Sequence, residues 1–355
     1  MKNRTVIKKI SFILVWGVSI IIILALSTFF IMREIGKKQL TVSGNDISIF
    51  DSGNTDIKLS DNQIFYNGNV YEMIQDLIVI LVMGIDKETV SAVGGQSWSA
   101  EKGTEYAGGQ ADALFLVIIN PRDKKADIVA INRNSMVDVD VWDENGNYKG
   151  VFTKQIALQH GYGDGGIESC ERQVKAVSRM FHNILISSYV AVSMDVIPKL
   201  NDAVGGIEVE VLDDIIYPEY DMELHQGDIV MLQGEKAYWY VRLRNENVFN
   251  SNELRLQRQK QYITNFLEVA KKQVMKDIKV AISLYQTVQE YMVTDIDLNS
   301  FIYMATELLD YNININNIYT VQGEAVQGNN FEEFYVDEEA LQELIVKLFY
   351  EQTDK

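Results

Sequence analysis

The chain has 355 residues, with 32 Lys+Arg against 50 Asp+Glu and a formal net charge of −18. At 47% hydrophobic and 10% aromatic it can bury a large core, which excludes intrinsic disorder as its main character. Residues 1–40 hold seven basic side chains and one acid, so the remainder carries 25 basic against 49 acidic groups, a net of −24, which repels polyanions and excludes general nucleic-acid binding.

Ile10 to Met32 is a run of 23 residues without a charge. As a helix it is about 34 Å long, enough for a hydrocarbon core of about 30 Å. It is too long for a cleaved signal peptide and ends Phe29-Phe30-Ile31-Met32, so it reads as an uncleaved anchor at 10–32. Four basic residues and the amino terminus precede it. That places residues 1–9 in the cytoplasm and the acidic remainder outside the cell membrane.

Residues 33–62 are polar and read as a stalk, which with a short hairpin at Asn67-Gly68 extends over 33–76. Leu77 to Met83 is an apolar run typical of a strand covered on both faces, closed by Gly84-Ile85-Asp86. Residues 87–111 form a long loop. Asp112–Asn120 and Ala126–Asn132 read as an antiparallel hairpin turning near Asp123, which puts Asp112 beside Arg133 and Asn134. Helical spacing covers 155–160 and 167–185. A strand is expected over 189–194, a helix over 196–203 and a strand over 206–211. Then come a helical turn at 234–239, a strand at Tyr240–Arg244 and a capped helix from Asn252. Helices over 273–310, a strand near Ile318 and a helix over 337–350 complete the chain. The pattern predicts an α/β fold, a layered mixed sheet flanked by helices.

No P-loop, H-E-x-x-H, C-x-x-C or dinucleotide-binding glycine motif is present. The single cysteine, Cys170, allows no intrachain disulfide. The informative feature is arginine: Arg242, Arg244, Arg255 and Arg258 fall within 17 residues of an acidic chain. Arg242 and Arg244 would share a strand face. Arg255, Arg258 and Gln259 share a helix face near its N-terminus, where guanidinium forks and free N–H groups make a phosphate or pyrophosphate cradle. The plainer alternative is a solvated basic face paired with nearby glutamates. Asp86 and Asp112 form a second candidate group, two carboxylates suited to Mg2+ beside a phosphate substrate, or singly a loop cap and a turn residue.

The segments LVMGID, QADALFLVIINPRDKKADIVAINRNSMVDV, KQIALQHGYGDGG, VGGIEVEV, LQGEKAYWYVRLR and RLQRQ, in this order from about Leu77 to Lys271, resemble the LytR-CpsA-Psr family of membrane-anchored cell-wall enzymes. The resemblance implies a catalytic domain over 77–271 with a C-terminal α/β extension over 272–355. It implies transfer of an anionic glycopolymer, of the teichoic acid or capsular polysaccharide type, from an undecaprenyl-pyrophosphate carrier to peptidoglycan, forming a phosphodiester. The matched positions place Asp86 and Asp112 near Mg2+ (or Mn2+), Arg133 with them as a catalytic group, and Arg133, Arg242, Arg244, Arg255, Arg258 and Gln259 around the pyrophosphate. An apolar tunnel for the polyprenyl chain is implied as well. Gln110 stands where the family usually has arginine, Asn134 where it has aspartate, and Asn132 where it has proline. The acid expected just before Arg255 is displaced to Glu253. Gln110 and Asn134 keep open a non-catalytic polyprenyl-phosphate binder in wall assembly, and a pyrophosphatase on the same lipid stays open because water can replace the sugar hydroxyl.

Overall fold

In a computed structural model the described residues are 27, 30–41, 59–86, 108–143, 145–244, 249, 251–277, 279–308, 311–329 and 331–353. Residues 30–40 form helix α1. The hairpin β1 (Gln63–Tyr66) and β2 (Asn69–Met73) turns at Asn67 and Gly68, both at positive φ, as an Asn-Gly turn requires. Next come β3 (Ile78–Ile85), β4 (Ala111–Asn120), β5 (Lys125–Ile131) and a second hairpin, β6 (Met136–Trp142) with β7 (Tyr148–Gln155). The helices α2 (Leu158–Gly161) and α3 (Ile167–Met180) lead to β8 (Ser188–Ser193) and α4 (Ile197–Ala203). Four short strands follow: β9 (Ile207–Glu210), β10 (Ile215–Tyr217), β11 (Met222–Leu224) and β12 (Ile229–Leu232). Then α5 (Glu235–Arg242), α6 (Ser251–Lys276) and α7 (Lys279–Gln289) precede β13 (Met292–Thr294) and α8 (Leu298–Glu307). The chain continues through β14 (Asn312–Thr320), β15 (Gly323–Gln327), β16 (Glu332–Val336), α9 (Glu338–Phe349) and β17 (Tyr350–Gln352).

The central sheet has the order β13-β8-β3-β4-β5-β14. The β3–β8 and β5–β14 pairs are parallel and the others antiparallel, so the sheet is mixed, as expected. Both faces are covered, and β3 shows why its sequence is apolar throughout. Val79, Leu81, Met83 and Ile85 enter one core with Cys170 and Val177 of α3 and Leu341 and Ile345 of α9. Ile78 and Ile80 enter another with Leu40 of α1 and Tyr303 of α8. A strand with two dry faces cannot alternate. Each such side chain contributes roughly 1.5–3 kcal/mol by leaving water.

Several expectations need correction. Tyr240–Arg244 is not a strand. Gly234, at φ 53°, opens a helix through Arg242, and the buried residues Ala237, Tyr238, Tyr240 and Val241 follow helical spacing. Gln155 closes β7, and the helix there is only the single turn α2. The helix from Ile167 stops at Met180, because His182 and Asn183 both take positive φ. Within the expected stalk, residues up to 40 are helical. Leu40 is buried, and a Cβ on Gly36 would lie 2.2 Å from the Asn299 carbonyl oxygen of α8. The expected span at 10–32 and the loop at 87–111 lie mostly outside the described residues. Among those described, no helix is long and apolar enough to cross a membrane.

Candidate functional site

Three strand ends meet at one edge of the central sheet. β3 delivers Asp86 just after Ile85, β4 starts with Ala111-Asp112, and β5 runs out into Arg133. The β4–β5 register, Leu114 opposite Ile131, extends to Asp112 opposite Arg133. The ion pair follows: Arg133 Nη1 lies 2.8 Å from Asp112 Oδ1. The other guanidinium end of Arg133 donates to the side-chain oxygen of Gln110, whose carbonyl accepts the Asp86 amide at 3.1 Å.

The helices close the site. Arg242, the last residue of α5, places Nη2 2.6 Å from Asp86 Oδ1. Arg255, in the opening turns of α6, brings Nη1 to 3.9 Å from Asp112 Oδ2 while Nη2 donates to Asn252 at 2.6 Å. Together Asp86, Asp112, Arg133, Arg242, Arg244 and Arg255 line a cleft of about 730 Å3. With Asp195, the lining holds four guanidiniums against three carboxylates, inside a strongly acidic protein.

Arg258 and Gln259 do not line that cleft. Arg258 is 1% exposed and donates to the carbonyls of Tyr240 (2.6 Å) and Leu243, while its Nε lies 3.1 Å from Asp213. Gln259 donates to the Val241 carbonyl at 3.2 Å. Both satisfy carbonyls at the C-terminal end of α5, which a helix leaves without partners. They support Arg242 from behind. Asn134 also faces away from the cleft: its amide donates to Glu332 at 3.1 Å and accepts from Gln155 at 3.0 Å.

The electrostatics mark the cleft as unusual. Burial, then the charge of Asp112, pushes the Asp86 carboxyl above its ordinary range against the pull of Arg242 and Arg133. Burial pulls Arg255 down to about 10, opposed by Asp112, so it stays charged at neutral pH. The buried Arg133 Nε has no hydrogen-bond partner, and Asp112 Oδ1 has an ion pair without an aligned hydrogen bond. Such orphaned groups cost free energy until a ligand satisfies them. Among the described residues no group of three or more His, Cys, Asp or Glu converges. A cation here would therefore rest on Asp86 and Asp112 with oxygens from substrate and water, a donor set that suits Mg2+ rather than zinc.

An apolar cavity of about 320 Å3 lies beside the cleft, between the sheet (Val82, Phe115, Val117) and α6 (Tyr262, Ile263, Phe266). Met194 lines both spaces. Gly84 lies at this junction, where a Cβ would come 3.1 Å from Ala113 Cβ and 3.6 Å from Met194 Cγ. The cleft's remaining wall is Asp195, Tyr220, Tyr238 and Trp239, which local sequence does not nominate. Trp239 falls within a segment already marked by its arginines, but Tyr220 lies on a separate hairpin with no local signal.

A model of the LytR_cpsA_psr family matches residues 50–349. Over 160 residues the chain is 30% identical to a polyisoprenyl-teichoic acid–peptidoglycan teichoic acid transferase, TagU, of Enterococcus faecalis, covering 45% of this chain and 47% of that protein. The chain thus spans about half the length of that relative. A protein of the same name from Halalkalibacterium halodurans is 22% identical over 270 residues, 75% of this chain and 76% of its own. The crystal structure of Bacillus subtilis TagV superposes with a TM-score of 0.57 at 22% identity, covering 77% of this chain and 95% of that one.

Proposed function

Because the chain belongs to the LytR-CpsA-Psr family, we propose that it transfers an anionic glycopolymer from a polyprenyl-diphosphate carrier to peptidoglycan. The observation that carries this reading is the junction at Met194, where an arginine-lined cleft meets an apolar cavity. A lipid diphosphate has the same two halves. Its isoprenoid end would enter between the sheet and α6, and its diphosphate would lie against Arg133, Arg242, Arg244 and Arg255. The names of the relatives, which pair polyisoprenyl-teichoic acid with peptidoglycan, support the same substrates.

In this reading a hydroxyl of the peptidoglycan glycan attacks the phosphorus that bears the glycopolymer. The bond to the lipid-side phosphate breaks, polyprenyl phosphate leaves, and a phosphodiester remains. The four guanidiniums stabilise charge on the phosphate oxygens, which is most of what phosphoryl transfer asks of a protein. Asp112 is pinned between Arg133 and Arg255 and holds them in place. Asp86 is the more open of the two, with 36% of its side chain exposed against 10% for Asp112, which supports it as the carboxylate that takes the hydroxyl proton. Asp86 and Asp112 would also hold a divalent cation, Mg2+ or Mn2+, which supplies further neutralisation of the phosphates. Anchoring through 10–32, with the domain outside the membrane, would keep the protein where its lipid substrate is.

Incubating the full chain in detergent with a polyprenyl-diphosphate-linked glycopolymer, peptidoglycan and Mg2+ tests the proposal. Phosphate-linked product is expected, reduced by about two orders of magnitude or more in Arg255→Gln. Release of polyprenyl phosphate with no linked product would instead identify a hydrolase, and binding without either product a carrier-lipid binder.

A further inference from the structure

The cleft is roomier than a diphosphate needs, and away from the arginines the only charged side chain among the described residues that line it is Asp195. At about 730 Å3 it lies within the range that holds a drug-sized ligand. Beside Asp195 the lining is aromatic. Tyr238 is already committed, buried and accepting from Arg242. Tyr220 and Trp239 stack on each other with centroids 3.9 Å apart and planes 27° from parallel. Yet Tyr220 remains 39% exposed and Trp239 half-buried. An aromatic pair that served only to fill a core would be buried on all sides.

Local structure holds the pair in the lining of the cleft. Tyr220 stands at the tip of the β10–β11 hairpin, between Pro218 and Asp221, which takes the left-handed conformation at φ 53°. Asp221 pairs with Lys236 of α5 at 3.2 Å, tying the hairpin tip to the helix that carries Trp239.

We propose that Tyr220 and Trp239 form a stacking platform for a pyranose ring held next to the diphosphate, with Asp195 accepting from its hydroxyls. The C–H groups on one face of a pyranose are weakly positive and apolar, and they match the negative face of an aromatic ring. Its rim of hydroxyls matches a carboxylate acceptor. The platform rests on the diphosphate cradle proposed above and adds a specificity element to it. Two sources supply such a ring: the first sugar bonded to the diphosphate, or a sugar of the acceptor glycan strand.

Calorimetry on the full chain in detergent, with citronellyl diphosphate, citronellyl diphospho-N-acetylglucosamine and chitotetraose, separates the cases. For a donor-sugar platform, Tyr220→Ala weakens the sugar-bearing diphosphate about tenfold and leaves citronellyl diphosphate within about twofold. For an acceptor platform, chitotetraose binds wild type and loses about tenfold in Tyr220→Ala, with both diphosphates unchanged. Trp239→Phe, which keeps an aromatic face, retains most of the binding that Tyr220→Ala loses, and Tyr220→Ala keeping its affinity for the unaffected ligand guards against a variant that merely misfolds. Equal affinities of wild type and Tyr220→Ala for all three ligands overturn the platform while leaving the cradle standing. If citronellyl diphosphate does not bind wild type, the cradle falls and the platform with it.

Discussion

Arg255 and Arg258 sit one helical turn apart on α6, yet their surroundings give them opposite consequences. Arg255 is desolvated, has a long pair to Asp112 as its sole ion pair beside a hydrogen bond to Asn252 among the described residues, and is pulled down by burial and by the charges of Arg133 and Arg244. Its removal relieves repulsion. Arg255→Gln is therefore expected to melt at or above the wild-type temperature while losing at least about tenfold in diphosphate affinity, measured by thermal unfolding and calorimetry. Arg258 is tied to Asp213 and to two carbonyls closing α5. Arg258→Ala leaves those groups unpaired and should cost about 3 kcal/mol or more in denaturant unfolding. A third residue, Asp140, gives a pH signature. Burial raises its carboxyl, but hydrogen bonds from Tyr148, Lys175 and Arg179 outweigh that and hold it below the ordinary 3.8. A lowered carboxyl stabilises the fold above 3.8, and that stability is lost as pH falls through the folded-state value. Asp140→Asn should thus lose about 2 kcal/mol at pH 7. The gap to wild type should close as pH falls below 3.8, followed by melting temperature across pH.

At the scale of elements, the Asp112–Arg133 contact was readable from sequence because a hairpin converts local pattern into pairing. The Asp86–Arg242 contact was not, because it depends on how α5 lies across the end of β3. The segment YVRLR shows the ambiguity of short apolar alternation. Two-residue spacing of its arginines fits a strand, but Ala237, Tyr238, Tyr240 and Val241 also sit three and four apart, and tertiary burial selects the helix. The consequence is functional: Arg242 ends a helix and Arg244 lies beyond it, so they reach the cleft from different backbone directions. α1 supplies a further test. Gly36 allows its backbone to touch α8, where any Cβ would meet the Asn299 carbonyl. Gly36→Ala is expected to cost about 1–3 kcal/mol and to expose residues 30–41 to protease, read by limited digestion and melting.

On the scale of the whole molecule, the mixed sheet and its helical cover were foreseeable from interleaved patterns, whereas the β6–β7 and β15–β16 hairpins were not expected. β6, MVDVDVW, does alternate and is followed by Asn145-Gly146, a hairpin signal as strong as Asn67-Gly68 but left unused, whereas β7 and β15 carry polar or Gly-containing stretches with weak alternation. One of these late segments bears on the cleft. Glu332 of β16 holds Asn134, the Asn134 amide donates to Asn132 at 3.0 Å, and Asn132 accepts from Asn252 at 3.2 Å, which in turn holds Arg255. Asn132 and Asn134, two of the positions the sequence singled out, are thus joined in one amide chain that ends on a cleft arginine.

The pairing of β17 with β2 sets a timetable for assembly. Gln352 meets Asn69 across 283 positions of chain. During synthesis the first hairpin emerges early, and its outer edge stays bare until almost all of the remaining chain has been made. An uncovered strand edge is a template for the wrong neighbour. That edge alone therefore distinguishes a finished copy from an interrupted one.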